Sequence, residues 1–133
     1  MRIAARSLLG ALLFAAGQAS AWTETDTARQ VAYSALHVAD WMQTRQIARQ
    51  PDRFHETNPI LGRHPSLGRV DAYMAGTLVL HAAVAYALPS PWRSWWQHVG
   101  IAVETGAAAG NAAIGLSTGR SHVGVMMQFS ATF

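Results

Sequence analysis

The chain has 133 residues, half of them hydrophobic, and only 13% are charged, against roughly 25% in an average soluble domain. That length suits one domain, and so apolar a composition excludes an intrinsically disordered chain. No cysteine is present, which removes disulfide scaffolds, thiol nucleophiles, iron–sulfur clusters and cysteine zinc sites. The formal charge of +3 arises from ten basic residues, all arginine, against seven acids. These arginines form no basic patch, so no nucleic-acid partner is expected.

The N-terminus has the layout of a secretory signal. Arg2 and Arg6 form a positive start, residues 7–17 form a short apolar stretch, and Ala19-Ser20-Ala21 matches an A-x-A cleavage site. Residues 1–21 are therefore expected to be a signal peptide, with Trp22 the first mature residue, or an uncleaved anchor. Either way the chain after Ala21 starts outside a bacterial inner membrane.

Residues 23–50 carry a helical pattern. Thr23 or Thr25 suits the N-cap, Glu24 and Asp26 suit the first turn, and Pro51 stops the helix. Residues 51–68 are expected to form a loop, because Asn58-Pro59, His64-Pro65 and two glycines are turn signals. Residues 70–88 form a strongly apolar helix closed by Pro89 and Pro91, after which Trp92, Arg93, Trp95 and Trp96 suit a membrane interface. A third helix is predicted over residues 95–116, ended by Gly119, and residues 120–133 form a tail, a short strand or a frayed end.

Charge spacing points to a membrane. No charge occurs in the 21 residues between Asp71 and Arg93, and only Glu104 in the 26 between Arg93 and Arg120. A helix needs about 20 mostly apolar residues to cross a bilayer. Arg45, Arg49, Arg53, Arg63 and Arg69 lie in or beside one loop, whereas residues 89–94 hold Arg93 alone. Cytoplasmic loops carry the excess of arginine. The expected fold is thus all-α: a small transmembrane bundle of three mature helices over residues 22–119, with the loop 45–69 cytoplasmic. The first mature helix is the weakest span, since Asp40 at a helix centre costs about 2.5–3.5 kcal/mol on insertion scales. A soluble periplasmic bundle is the alternative.

The polar residues within these helices recur on single faces. His37, Asp40 and Thr44 share one face of the first helix, and His81 sits mid-way along the second. Gln97, Glu104, Asn111 and Thr118 recur every seventh residue in the third. Such stripes face one another or a cavity, not lipid. Three roles fit that interior. Thr44, Gln97 and Asn111 with the ionisable groups can form a polar core of interhelical hydrogen bonds. His37, Asp40, His81 and Glu104 together are a donor set suited to a divalent metal, zinc or iron. Asp40 and Glu104 can also relay protons.

Glu56, two residues before Asn58-Pro59, fits a structural turn, or an acid or additional ligand at the mouth of the polar interior. His55 and His64 beside it suit solvated loop positions. Gly106 and Gly110 form a G-x-x-x-G step, which suits close packing within the monomer or a homo-oligomer contact.

Asp40-x-x-Gln43-Thr44, then Glu56-x-Asn58-Pro59, then Glu104 and Asn111 in a last apolar helix, together resemble a group of small bacterial helical membrane proteins of uncharacterised function. The resemblance covers about residues 36–116. It implies a membrane location and a shared role for the polar positions, and it implies no substrate. No G-x-S-x-G, H-E-x-x-H, P-loop or G-x-G-x-x-G motif is present. The expected function is an accessory or interaction subunit with a polar intramembrane core. The alternative is a membrane-embedded metal-dependent hydrolase, with His37, Asp40, His81 and Glu104 as ligands and Glu56 as acid–base.

Overall fold

The computed structural model describes residues 21–118. They form three helices, α1 (Glu24–Arg49), α2 (Leu67–Ala87) and α3 (Ser90–Ala113), and no strand occurs among the described residues. The signal or anchor segment up to residue 20, including most of its cleavage site, and the tail from residue 119 onward lie outside the described residues.

Each helix boundary has a local cause. α1 opens with a reciprocal capping box: Thr23 Oγ1 accepts from Asp26 N–H at 3.1 Å, and Asp26 Oδ2 accepts from Thr23 N–H at 3.0 Å. α2 starts three residues before the predicted position, because the Ser66 hydroxyl accepts from Arg69 N–H at 3.2 Å and caps it. The start of α3 departs further. Pro91 occupies the first turn, where a missing N–H costs nothing and the fixed φ suits the helix. The expected loop over residues 89–94 therefore shrinks to Leu88 and Pro89, and Trp92, Arg93, Trp95 and Trp96 become part of the first turns of α3.

α3 ends at Ala113, short of both Leu116 and Gly119. Gly115 takes φ +90°, Gly115 N–H donates to Ala112 O, and Leu116 N–H donates to Asn111 O, both at 3.0 Å. This pair of bonds is a Schellman motif, and its left-handed position favours glycine. Thr118, predicted as the fourth member of the polar stripe, is exposed and lies past the helix end.

α1 packs against both other helices, most extensively against α3. Bonds between them join residues 65 to 71 positions apart: Asp26 with Arg93 and Gln97, His37 with Glu104, Asp40 with Asn111, Gln43 with Ala108. The narrow range of offsets means that the two helices run parallel and in register. It also explains a pattern in each helix. Asp26, Gln30, Tyr33, His37, Asp40 and Thr44 on α1 follow a 4-3-4-3-4 spacing, and Arg93, Gln97, Gly100, Glu104, Ala107 and Asn111 on α3 repeat it. That is the seam spacing of a coiled coil, here filled largely by polar groups.

Among the described residues, polar side chains are as frequent as apolar ones in the buried set. Asp26, His37, Gln43, Thr44, His81, Arg93 and Gln97 are buried. A compact apolar cluster exists only where the loop meets α1 and α2, built from Leu61, Val70 and Met74 with Trp41, Ala48 and Tyr73 against it. By length and composition, α2 is the one helix among the described residues apolar enough to cross a membrane. α3 was expected to qualify as well, but Gln97, His98, Glu104 and Asn111 dilute it.

Candidate functional site: a polar cavity between the helices

α2 and α3 meet near their connection. Trp96 Nε1 donates to His81 O at 3.2 Å, and Arg93 Nε donates to Ala85 O at 2.9 Å. Away from that connection the two helices flank a cavity of about 690 Å³ whose floor is α1. His37, Asp40 and Thr44 face it from α1, Glu104 and Asn111 from α3, and Glu56 from the loop. Except for His81, Gln97 and Thr118, the polar residues singled out on the helices thus converge on one space.

His37 is the hub. Its Nδ1 lies 2.8 Å from Glu104 Oε1, and its Nε2 lies 2.9 Å from the carbonyl oxygen of Met74. Thr77 Oγ1 is 3.3 Å from Nε2, but its hydroxyl is placed to donate to the carbonyls of Tyr73 and Met74. One proton must therefore lie between Nδ1 and Oε1 and another on Nε2, since a carbonyl only accepts. Neither nitrogen has a lone pair left for a metal.

The rest of the proposed metal set also fails to assemble. His81 does not line the cavity. It is stacked on Tyr33, with ring centroids 3.4 Å apart, and Trp96 lies on it at 5.2 Å. Both of its ring nitrogens are buried without a hydrogen-bond partner. The imidazole fits because residue 100 is glycine: a Cβ there would stand 2.5 Å from His81 Nε2. Among the described residues, no group of three or more His, Asp or Glu side chains is arranged to hold a metal ion. Of the four residues expected to hold zinc or iron, His37, Asp40 and Glu104 face the one cavity, while His81 is packed elsewhere.

Asp40 Oδ1 accepts from Asn111 Nδ2 at 2.7 Å. Glu56 Oε1 accepts from the backbone N–H groups of Thr57 and Asn58, both at 2.8 Å, and Asn58 Oδ1 accepts from Ile60 N–H at 2.9 Å. Gly62, at φ +78°, closes the loop through its N–H to Asn58 O. Glu56 is thus both the organiser of the turn and a wall of the cavity. His55 and His64 are exposed, as expected of loop histidines. Gly106 and Gly110 also border the cavity, and a Cβ at either would meet nothing within 4 Å. Close packing within the monomer is therefore not what these glycines permit.

A second polar assembly holds the opposite end of the bundle. Arg93 is 1% exposed. Its guanidinium donates to Ala85 O (2.9 Å), Leu88 O (3.0 Å) and Asp26 Oδ2 (3.0 Å), and it lies over the Trp22 ring at 5.2 Å. Gln97 Nε2 donates to Asp26 O at 2.9 Å. Burial pushes the Asp26 carboxyl up, but the Thr23 backbone N–H and the Arg93 guanidinium outweigh it and hold the group below the ordinary 3.8. Sequence reasoning treated Arg93 as a loop charge and Asp26 as a dipole partner. The matching 4-3-4 spacings on α1 and α3 were the signal that could have joined them.

No family model, curated protein or solved structure matches this chain.

Proposed function

We propose that the protein is a small integral protein of a bacterial inner membrane, an accessory or interaction subunit whose helices enclose a polar intramembrane cavity. One observation carries this proposal: the outward faces of all three helices are apolar where a bilayer core would lie. Between residues 28 and 48 of α1 the exposed side chains are alanines, Val31, Val38 and Met42, with Arg29 and Arg45 partly exposed near the two ends. From residue 72 to 87 of α2 they are alanines, Gly76, Val79, Leu80 and Tyr86. From residue 99 to 113 of α3 they are Val99, Val103, alanines, glycines and Thr105, whose hydroxyl donates to Ile101 O.

The flanks support the same assignment. Tyr86, Trp92 and Trp95 are all more than 60% exposed at the α2–α3 connection, where an aromatic belt suits a headgroup region. Arg49, Arg53, Arg63 and Arg69 are exposed at the other end, as a cytoplasmic loop requires. Burying Arg93 strengthens the asymmetry, because it removes the one arginine from the opposite connection. The 21 residues of α2 rise about 31 Å at about 1.5 Å each, close to the thickness of a bilayer core.

The absence of cysteine allows a clean test. Single cysteines replacing Arg63, Val79 and Ser90 are expressed in turn and probed with a membrane-impermeant maleimide. Arg63→Cys is expected to react only from the cytoplasmic side, Ser90→Cys only from the outer side, and Val79→Cys from neither. Release of the protein by alkaline carbonate, or ready labelling of Val79→Cys, would sink the proposal.

A further inference from the structure

The charges facing the cavity do not balance. Three carboxyl groups, Asp40, Glu56 and Glu104, face it against one imidazole, His37, which bonds Glu104 through Oε1. Among the described residues, no arginine lines the space. Glu104 Oε2 is buried and accepts no hydrogen bond. The sole side-chain donor to Asp40 is the neutral amide of Asn111. Carboxyl oxygens in a low-dielectric interior either keep a proton or take a cation nearby, and a cavity beside them leaves room for one.

Size and shape narrow what that cation is. A volume of about 690 Å³ is that of a small-molecule pocket and far exceeds a metal ion, and the donors do not converge as a metal requires. The wall is also amphiphilic. Beyond the carboxylates stand Met74 on α2 and Val103 and Ile114 at the α3 end, the last two 62% and 56% exposed. Beside them Gly106 and Gly110 leave open space. Polar floor and apolar rim are therefore continuous with the lipid-facing surface.

We propose that this cavity binds an organic ammonium ion carrying a hydrocarbon chain, the cationic head against Asp40 and Glu104 and the chain along Val103 and Ile114 toward the bilayer. The inference rests on the membrane assignment above. Asn111 would hold Asp40 in place, and Glu56 would close the head-group end from the loop.

The test uses the full chain purified in a non-ionic detergent, with decyltrimethylammonium, decyl sulfate and zinc chloride as separate probes and thermal unfolding as the readout. Decyltrimethylammonium is expected to raise the midpoint progressively with concentration, as a ligand of the folded state does. Decyl sulfate and zinc are expected not to. In Asp40→Asn and in Glu104→Gln the ammonium probe should bind about tenfold more weakly or worse, the loss of a hydrogen-bonded or paired charge. Two variants on different helices guard against misfolding of either one.

No shift in the wild type, an equal shift with decyl sulfate, a shift with zinc alone, or an ammonium shift unchanged in both folded variants each overturns the inference. Carbonate-resistant protein without an ammonium shift would overturn this inference alone. Carbonate release would instead overturn the membrane assignment on which it stands.

Discussion

Arg93→Met should be among the most damaging single substitutions in this chain. The side chains of Arg93 and Asp26 are 2% and 6% exposed, and their ion pair is 3.0 Å long. The substitution retains hydrocarbon volume but removes the donors to Asp26, Ala85 O and Leu88 O. Asp26 keeps its capping bond to Thr23 and the longer contact to Arg29 at 3.5 Å, yet its charge loses the cation most deeply buried with it. Breaking a buried pair from one side costs about 3–5 kcal/mol. For a domain of this size each kcal/mol lowers the melting temperature by roughly 4–8 °C. A fall of about 12 °C or more is therefore expected for protein in detergent, followed by circular dichroism. Arg93→Lys should fall in between, because an ammonium cannot reach three acceptors as the guanidinium fork does. A double-mutant cycle with Asp26→Asn isolates the pair, and its coupling should exceed about 1 kcal/mol, the ceiling of exposed pairs. Strict additivity, or a loss below that ceiling, would show that Arg93 is merely a solvated interfacial charge.

Other consequences follow from the same geometry. Arg45 and Asp71 are paired at 2.8 Å but are 34% and 37% exposed, so Asp71→Asn should cost no more than about 1 kcal/mol, measured on the same melting curves. Gly100→Ala forces a methyl group against His81 Nε2 and against Tyr33 Cδ2, at 2.5 and 2.9 Å, and should destabilise by about 1–3 kcal/mol; the loss should shrink in a His81→Ala background, and unchanged melting would show that the stack yields freely. The folded-state pKa of Asp26 lies below its unfolded value of 3.8. Its stabilisation is thus complete above that value and is lost as pH falls through the lower, folded one. Wild type should lose more stability than Asp26→Asn on acidification below pH 3.8, and parallel acid curves for the two would contradict the pairing.

The helices themselves were legible because their signals are local. Thr23 and Asp26 form a capping box within four residues, and Asn58-Pro59 makes its turn within its own segment. That His37, Asp40, Glu104 and Asn111 turn toward one interior was legible too, since polar groups on otherwise apolar faces have few places to turn, whereas His81, expected there, is packed elsewhere. Boundaries set by proline were harder. Pro91 reads equally as a helix stop or as a first-turn residue, and only the short connection to α2 selects the second.

By itself the sequence determined three helices, their caps and the faces on which polar groups lie, because these depend on backbone hydrogen bonding and a fixed periodicity. Tertiary structure alone decided the partners. It carried Arg93 inward to Asp26, saturated both nitrogens of His37, and set His81 against Gly100 and Tyr33, away from the carboxylates. Helical periodicity sets the direction of a side chain about its own axis. The register between two helices, here an offset of 65 to 71 residues, arises from the packing of both surfaces together, and that register chooses which charges meet.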